Sequence, residues 1–199
     1  MRLLDLFCGA GGAAVGYWRA GVDNRPQPNY PGRFEFVLTD ALKYLAKRGR
    51  EFDLIHASPP CQAYCLLNHP HRKTHHPRYI EPLRELLEEM EVPYIIENVP
   101  GAPLEQPIRL CGAMFGLRVI RHRLFETSLP IGQPPHIPHG GTVKSGDYVT
   151  VAGHGGAGSH RYRDWCDAMG IYWMSKSELK EAIPPAYTQW LGWNARLWL

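Results

Sequence analysis

A short apolar run over residues 1–6 breaks into a glycine cluster at positions 9–12, followed by a helical stretch over 13–20 that Gly21 closes. Strand, glycine-rich turn and helix in direct succession open a nucleotide-binding α/β domain. There the turn lets a ligand approach the backbone at a helix N-terminus. The alternation continues along the chain. Residues 34–38 read as a strand, 41–47 as a helix, and 52–57 as a buried strand stopped by Ser58-Pro59-Pro60. Residues 80–91 place Leu83, Leu86, Leu87 and Met90 on one side of a helix. Residues 92–96 then run as a strand into Glu97-Asn98. This order predicts an α/β fold with a mostly parallel sheet and helices on both faces.

The pattern breaks after Phe125. Residues 127–160 are rich in Gly, Pro and His, with only 148–152 suited to a strand, and read as a small irregular insertion. Helical signals return at Arg161, and Ser175 followed by Glu178 forms a capping box. The expected division is 1–126, an insertion at 127–160, and C-terminal helices at 161–199 that complete the first unit. At 199 residues, 44% hydrophobic and 21% charged, the chain can bury a full core and is not a disordered one. No apolar run approaches the roughly 20 residues of a membrane span. The N-terminus lacks a signal-peptide layout, so a cytoplasmic setting without membrane partners is expected. Five cysteines, an odd number without zinc-type spacing, predict neither a disulfide framework nor a metal site. The net charge of +3 is compatible with nucleic acid but does not establish it. Residues 68–78, NHPHRKTHHPR, carry four histidines, two arginines, a lysine and no acid. Such a run is either a solvated loop or a phosphate-contacting one.

Four segments carry candidate chemistry. DLFCGAGG, residues 5–12, is a cofactor turn or a tight packing turn. In ASPPCQ, residues 57–62, Cys61 lies just beyond a strand end, where open α/β sheets place their sites, and two prolines restrict the backbone before it. The alternative is a buried, inert cysteine. Glu97, in ENV, is a carboxylate whose pKa burial would raise, making it a proton donor; a capping or salt-bridged glutamate is the plainer reading. RHRLF, residues 121–125, places Arg121 and Arg123 at strand period, on one face.

Taken in order, DLFCGAGG, PPCQ, ENV and RxR before an aromatic resemble the motif series of the cytosine-5 DNA methyltransferases. ELKEAIPPAYTQWLG near the C-terminus is similar to that family's final motif. The resemblance runs from Asp5 to Gly192 and suggests a small phage-like or orphan type. It implies a Rossmann-like methyltransferase fold, S-adenosylmethionine as cofactor and double-stranded DNA as partner. For the cofactor it implies Asp5, Phe7, Cys8, Gly9, Gly11 and Gly12 at the turn, Asp23 at the ribose, and Asp40 with Ala41 at the adenine. Pro60, Asn98, Ala186 and Tyr187 would complete that pocket. For catalysis it implies Cys61 as nucleophile, Glu97 on the cytosine amino and ring-nitrogen edge, Arg123 on the 2-oxo group, and Arg121 behind the cysteine loop. The target base is flipped out of the duplex, and residues 63–78 would close over it.

Two departures stand out. With the first helix running to Ala20, almost no room is left for a second strand before Asp23. The insertion is also short for a recognition domain, and Val119 stands where the family often has glutamine. Few positioned side chains read few base pairs, so a recognition core of about two to three base pairs, set by this chain, a homodimer or a specificity partner, is expected. Competing readings are a pyrimidine methyltransferase acting on RNA or nucleotides, and an inactive relative retained for DNA binding or regulation.

Overall fold

The computed structural model describes residues 1–17, 20–64, 76–151 and 161–199. Seven strands form one sheet in the order β3-β2-β1-β4-β5-β7-β6: β1 (Leu3–Leu6), β2 (Ala20–Asp23), β3 (Phe36–Leu38), β4 (Leu54–Ala57), β5 (Tyr94–Asn98), β6 (Ile108–Leu110) and β7 (Arg123–Thr127). The first five are parallel, and β7 runs antiparallel to both β5 and β6. The chain order reverses between β1 and β4, which is where open α/β sheets form their binding crevice.

Period-two alternation sorts the strand residues onto two cores. Leu4, Leu6, Ile55, Ala57 and Ile96 pack beneath α2 (Ala41–Arg48) and α3 (Ile80–Met90). Leu3, Leu54, Ile95 and Phe125 pack against α1 (Gly12–Tyr17) and α6 (Pro185–Ala195). Leu83, Leu87 and Met90 of α3 are buried, as its helical spacing predicts. A third cluster joins Val119, Val149 and Val151 to α4 (Tyr162–Met169) and Leu179 of α5 (Lys176–Glu181). Ser175 caps α5, with Glu178 reaching back to the Ser175 amide at 2.6 Å.

Three expectations need correction. The first helix ends at Tyr17, not Ala20, and β2 begins at Ala20, so the second strand is present and ends on Asp23. Arg121 lies outside β7, which starts at Arg123. Within 127–151 the chain forms no helix or strand beyond the end of β7. Its strand expectation reduces to an isolated bridge between Val149 and Val119, while 152–160 lies outside the described residues. No helix among the described residues is long and apolar enough to cross a membrane.

Candidate active site

The carboxyl ends of β1, β2, β4 and β5 surround a cleft of about 530 Å³, inside the roughly 300–1,000 Å³ range of small-molecule sites. The turn after β1 forms one wall. Phe7 takes a left-handed conformation at φ 57°, as do Gly9 at 49° and Gly11 at 85°. For a phenylalanine that conformation costs about 1–3 kcal/mol and is tolerated where the surroundings enforce it. A Cβ on Gly9 would meet nothing within 4 Å, so the bare backbone there faces open space in the cleft. Gly11 instead packs on Tyr30 and Pro31, and a Cβ on Gly12 would meet the Ile183 carbonyl oxygen at 2.7 Å.

Asp23 ties this turn down from the end of β2. Its carboxylate accepts the Gly9 amide at 3.0 Å and the Arg25 amide at 2.8 Å. Beyond it, residues 24–27 continue the wall, and Glu178 with residues 180–183, on and just after α5, also line the cleft, Arg25 lying 3.5 Å from Glu181.

The cysteine loop follows β4. Pro60 precedes a short 3-10 turn, Cys61–Ala63, that puts Cys61 at the cleft. Cys8, Cys111 and Cys166 are buried, whereas Cys61 is partly exposed. Burial, reinforced by the charges of Asp5 and Asp23, pushes the Cys8 thiol far up, so it is no nucleophile. Asn98, itself buried, donates from Nδ2 to the Pro59 carbonyl at 2.9 Å, fastening the loop to the end of β5.

Glu97 and Arg123 meet across the β5–β7 pair, Arg123 Nε lying 3.1 Å from Glu97 Oε1. Burial raises the Glu97 pKa, while Arg123, a hydrogen bond from Ser58, and Arg121 pull against that rise. Behind them a polar chain runs along one face of the sheet. Tyr17 Oη lies 3.2 Å from His56 Nδ1, and His56 Nε2 lies 3.0 Å from Ser58 Oγ. His56 is fully buried, and desolvation lowers its pKa to about 3, so the ring is neutral with one donor and one acceptor. Ser58 spends its proton on Glu97. Asp5 lies on the same face, in register with His56. Burial raises its pKa well above the ordinary value, the Ala14 amide opposing and Asp23 and Glu97 adding to the rise.

Of the residues singled out in the sequence, Asp5, Phe7, Cys8, Gly9, Gly12, Asp23, Pro60, Cys61, Glu97 and Arg123 line the cleft. Gly11, Asp40, Ala41, Asn98, Arg121, Ala186 and Tyr187 do not. Asp40 is exposed and caps α2, accepting the Lys43 amide at 2.9 Å, and Ala41 packs into the core. Tyr187 is fully buried, its hydroxyl donating to the Arg121 carbonyl at 2.6 Å. The Arg121 guanidinium donates to the carbonyls of Val151 and Lys180. Burial and the neighbouring Arg123 push its pKa down to about 9. Cys65, residues 65–75 of the expected closing loop, and the glycine- and histidine-bearing stretch 152–160 lie outside the described residues. Sequence reasoning missed Tyr17, His56, Ser58 and the α5 wall. His56 carried a signal, a lone ionisable residue inside a buried apolar strand.

No family model matches the chain, and no curated protein matches it. Solved structures do. The Spodoptera frugiperda DNMT2 mutant superposes with a TM-score of 0.50 at 16% identity, covering 68% of this chain and 53% of that one. The chain has a Rossmann-like methyltransferase fold. The S. pombe Dnmt2 methyltransferase gives 0.48 at 20% identity, covering 63% and 48%. The Entamoeba histolytica methyltransferase EhMeth gives 0.38 at 16%, covering 69% and 56%. The chain spans about half the length of these proteins.

Proposed function

We propose that this chain transfers a methyl group from S-adenosylmethionine to the 5-carbon of cytosine in DNA, through a covalent bond to Cys61. The observation that carries the reading is one cleft holding the partly exposed cysteine, the Glu97–Arg123 pair and the open backbone at Gly9. S-adenosylmethionine supplies the methyl group as an electrophile. The residues present suit such a cofactor: Gly9 leaves room where a side chain would fill the cleft, and Phe7, Asp23 and Pro60 offer an aromatic face, a carboxylate and an apolar edge.

Cytosine is a weak carbon nucleophile at its 5-position. The Cys61 thiolate adds its electron pair at the ring 6-carbon, and the displaced pair is received at the ring nitrogen with a proton from Glu97. Burial raises the Glu97 pKa and so favours its acting as the proton donor, and Ser58 and Arg123 fix the carboxyl's orientation. The resulting enamine carries nucleophilic density at the 5-carbon. Once that carbon is methylated, the ring nitrogen returns its proton to Glu97, the 5-proton leaves to a base while its electron pair restores the 5,6-double bond, and the carbon–sulfur bond breaks with its pair going back to Cys61. Arg123 presents its remaining donors to the 2-oxo group.

Labelled methyl transfer from S-adenosylmethionine, run in parallel on duplex DNA and on RNA, tests the reading. DNA should take up label that digests to 5-methylcytosine, and Cys61→Ala should fall to background while still binding the cofactor. Label confined to RNA would overturn the substrate, and an active Cys61→Ala would overturn the mechanism.

A further inference from the structure

Away from the cleft, Cys111, His122, His136 and His139 converge so that their ligand atoms all lie within 4.8 Å of one another. None of the four lines the cleft. Cys111 follows β6, His122 precedes β7, and His136 and His139 belong to the segment after β7 that forms neither helix nor strand. We infer that these four residues form a zinc site that fastens this segment to the β6–β7 edge of the sheet.

The distances fit the ion. Cys111 Sγ lies 3.3 Å from His139 Nε2, and His122 Nε2 lies 3.1 Å from His136 Nε2. A tetrahedron with zinc–nitrogen bonds near 2.0–2.1 Å and a zinc–sulfur bond near 2.3 Å has edges of about 3.3–3.7 Å. Two separate hydrogen-bonded pairs would not require all four donor atoms to share one centre. One thiolate with three imidazoles selects zinc over calcium or magnesium, which take oxygen ligands. Four protein ligands complete the coordination, so the site is structural. Binding releases the Cys111 thiol proton to solvent and requires the three imidazoles neutral. The chelating turn, PPHIPH, carries three prolines that limit its backbone freedom before any ion arrives. Cysteine spacing gives no signal of such a site, because a single cysteine would supply the sulfur and the histidines come from distant positions.

The ion would also steady the substrate side of the cleft. Arg123 donates from Nη1 to the His122 carbonyl at 2.9 Å while its Nε meets Glu97. Fixing the His122 ring fixes the backbone from which Arg123 reaches.

Metal analysis of untagged protein, expressed with added zinc and dialysed, tests the assignment without reference to activity. About one zinc per chain should co-purify. Cobalt added to the metal-free protein should give the intense visible bands of a tetrahedral thiolate complex. Cys111 is fully buried, so Cys111→Ser can fail by misfolding; His136→Ala and His139→Ala carry the test instead. Each should lose the zinc while keeping its fold by circular dichroism, and His76→Ala, outside the cluster, should keep it. Protein free of zinc with no tetrahedral cobalt spectrum would overturn the site, as would zinc retained by both histidine variants.

Discussion

His56 occupies the middle of a strand whose other residues are apolar, and the sheet around it sets its charge state. Burial holds its pKa at about 3, against roughly 6.5 in an unfolded chain. Between those values the unfolded state binds a proton that the native state refuses. The stabilisation is therefore complete above about pH 6.5 and drains away as the pH falls, by up to about 1.4 kcal/mol per pH unit. Asp5 has the opposite sign. Its native carboxyl keeps a proton that the unfolded chain releases, so its contribution is most favourable below about pH 3.8 and is lost as the pH rises. Urea midpoints measured from pH 7 down to pH 4 should show the difference. His56→Gln should flatten the acid loss by about one proton, and Asp5→Asn should gain stability at pH 7 relative to pH 4. An unchanged slope in His56→Gln would mean that the ring is charged in the native state. Cys61 and Glu97 were legible in the sequence because each sits at a strand end beside a distinctive neighbour. The Tyr17–His56–Ser58 chain was not, since only the pairing of β1 with β4 brings residue 56 beneath α1.

At the level of elements, glycine misled in a way that packing explains. Gly21 reads as a helix stop, which erased β2. In the structure it lies within β2, because a Cβ there would meet Cys8 Sγ and the Tyr30 hydroxyl at 2.6 Å. Close packing, not chain reversal, requires that glycine. β6 escaped notice because three residues with two buried side chains are too few to show a period. The long periodic helix α3 and the capping box of α5 were legible, each carrying its signal within one element. Gly16 offers a test of the contact between α1 and α6. A Cβ there would run into Thr188 Oγ1 and the Pro185 carbonyl oxygen. In an open helix Gly16→Ala would stabilise by about 1 kcal/mol. Here it should destabilise by about 2 kcal/mol, since backbone cannot yield as a side chain does. Urea unfolding measures the sign, and a raised midpoint would contradict the packing of these two helices.

Across the whole molecule, the sheet gathers residues from distant parts of the sequence onto one edge. The turn after β1, the loop after β4, the end of β5 and the start of β7 meet there, and α5 returns from the C-terminal part of the chain to complete the lining. The order of motifs was legible because each segment abuts a strand end. Asp40 and Tyr187 were read as cofactor residues from the same resemblance. In the fold Asp40 caps α2 through the nearby Lys43 amide, Tyr187 is a core aromatic, and neither lines the cleft. The central claim is that Cys61 bonds to the base it methylates. Duplex DNA carrying 5-fluorocytosine, incubated with S-adenosylmethionine, tests it most directly, because fluorine cannot leave as the proton does and elimination stalls. A denaturant-stable protein–DNA complex should form, with peptide mapping placing the adduct on Cys61 and Cys61→Ala giving none. Normal turnover on unmodified DNA with no adduct on the fluorinated duplex, or an adduct on another cysteine, would contradict the account.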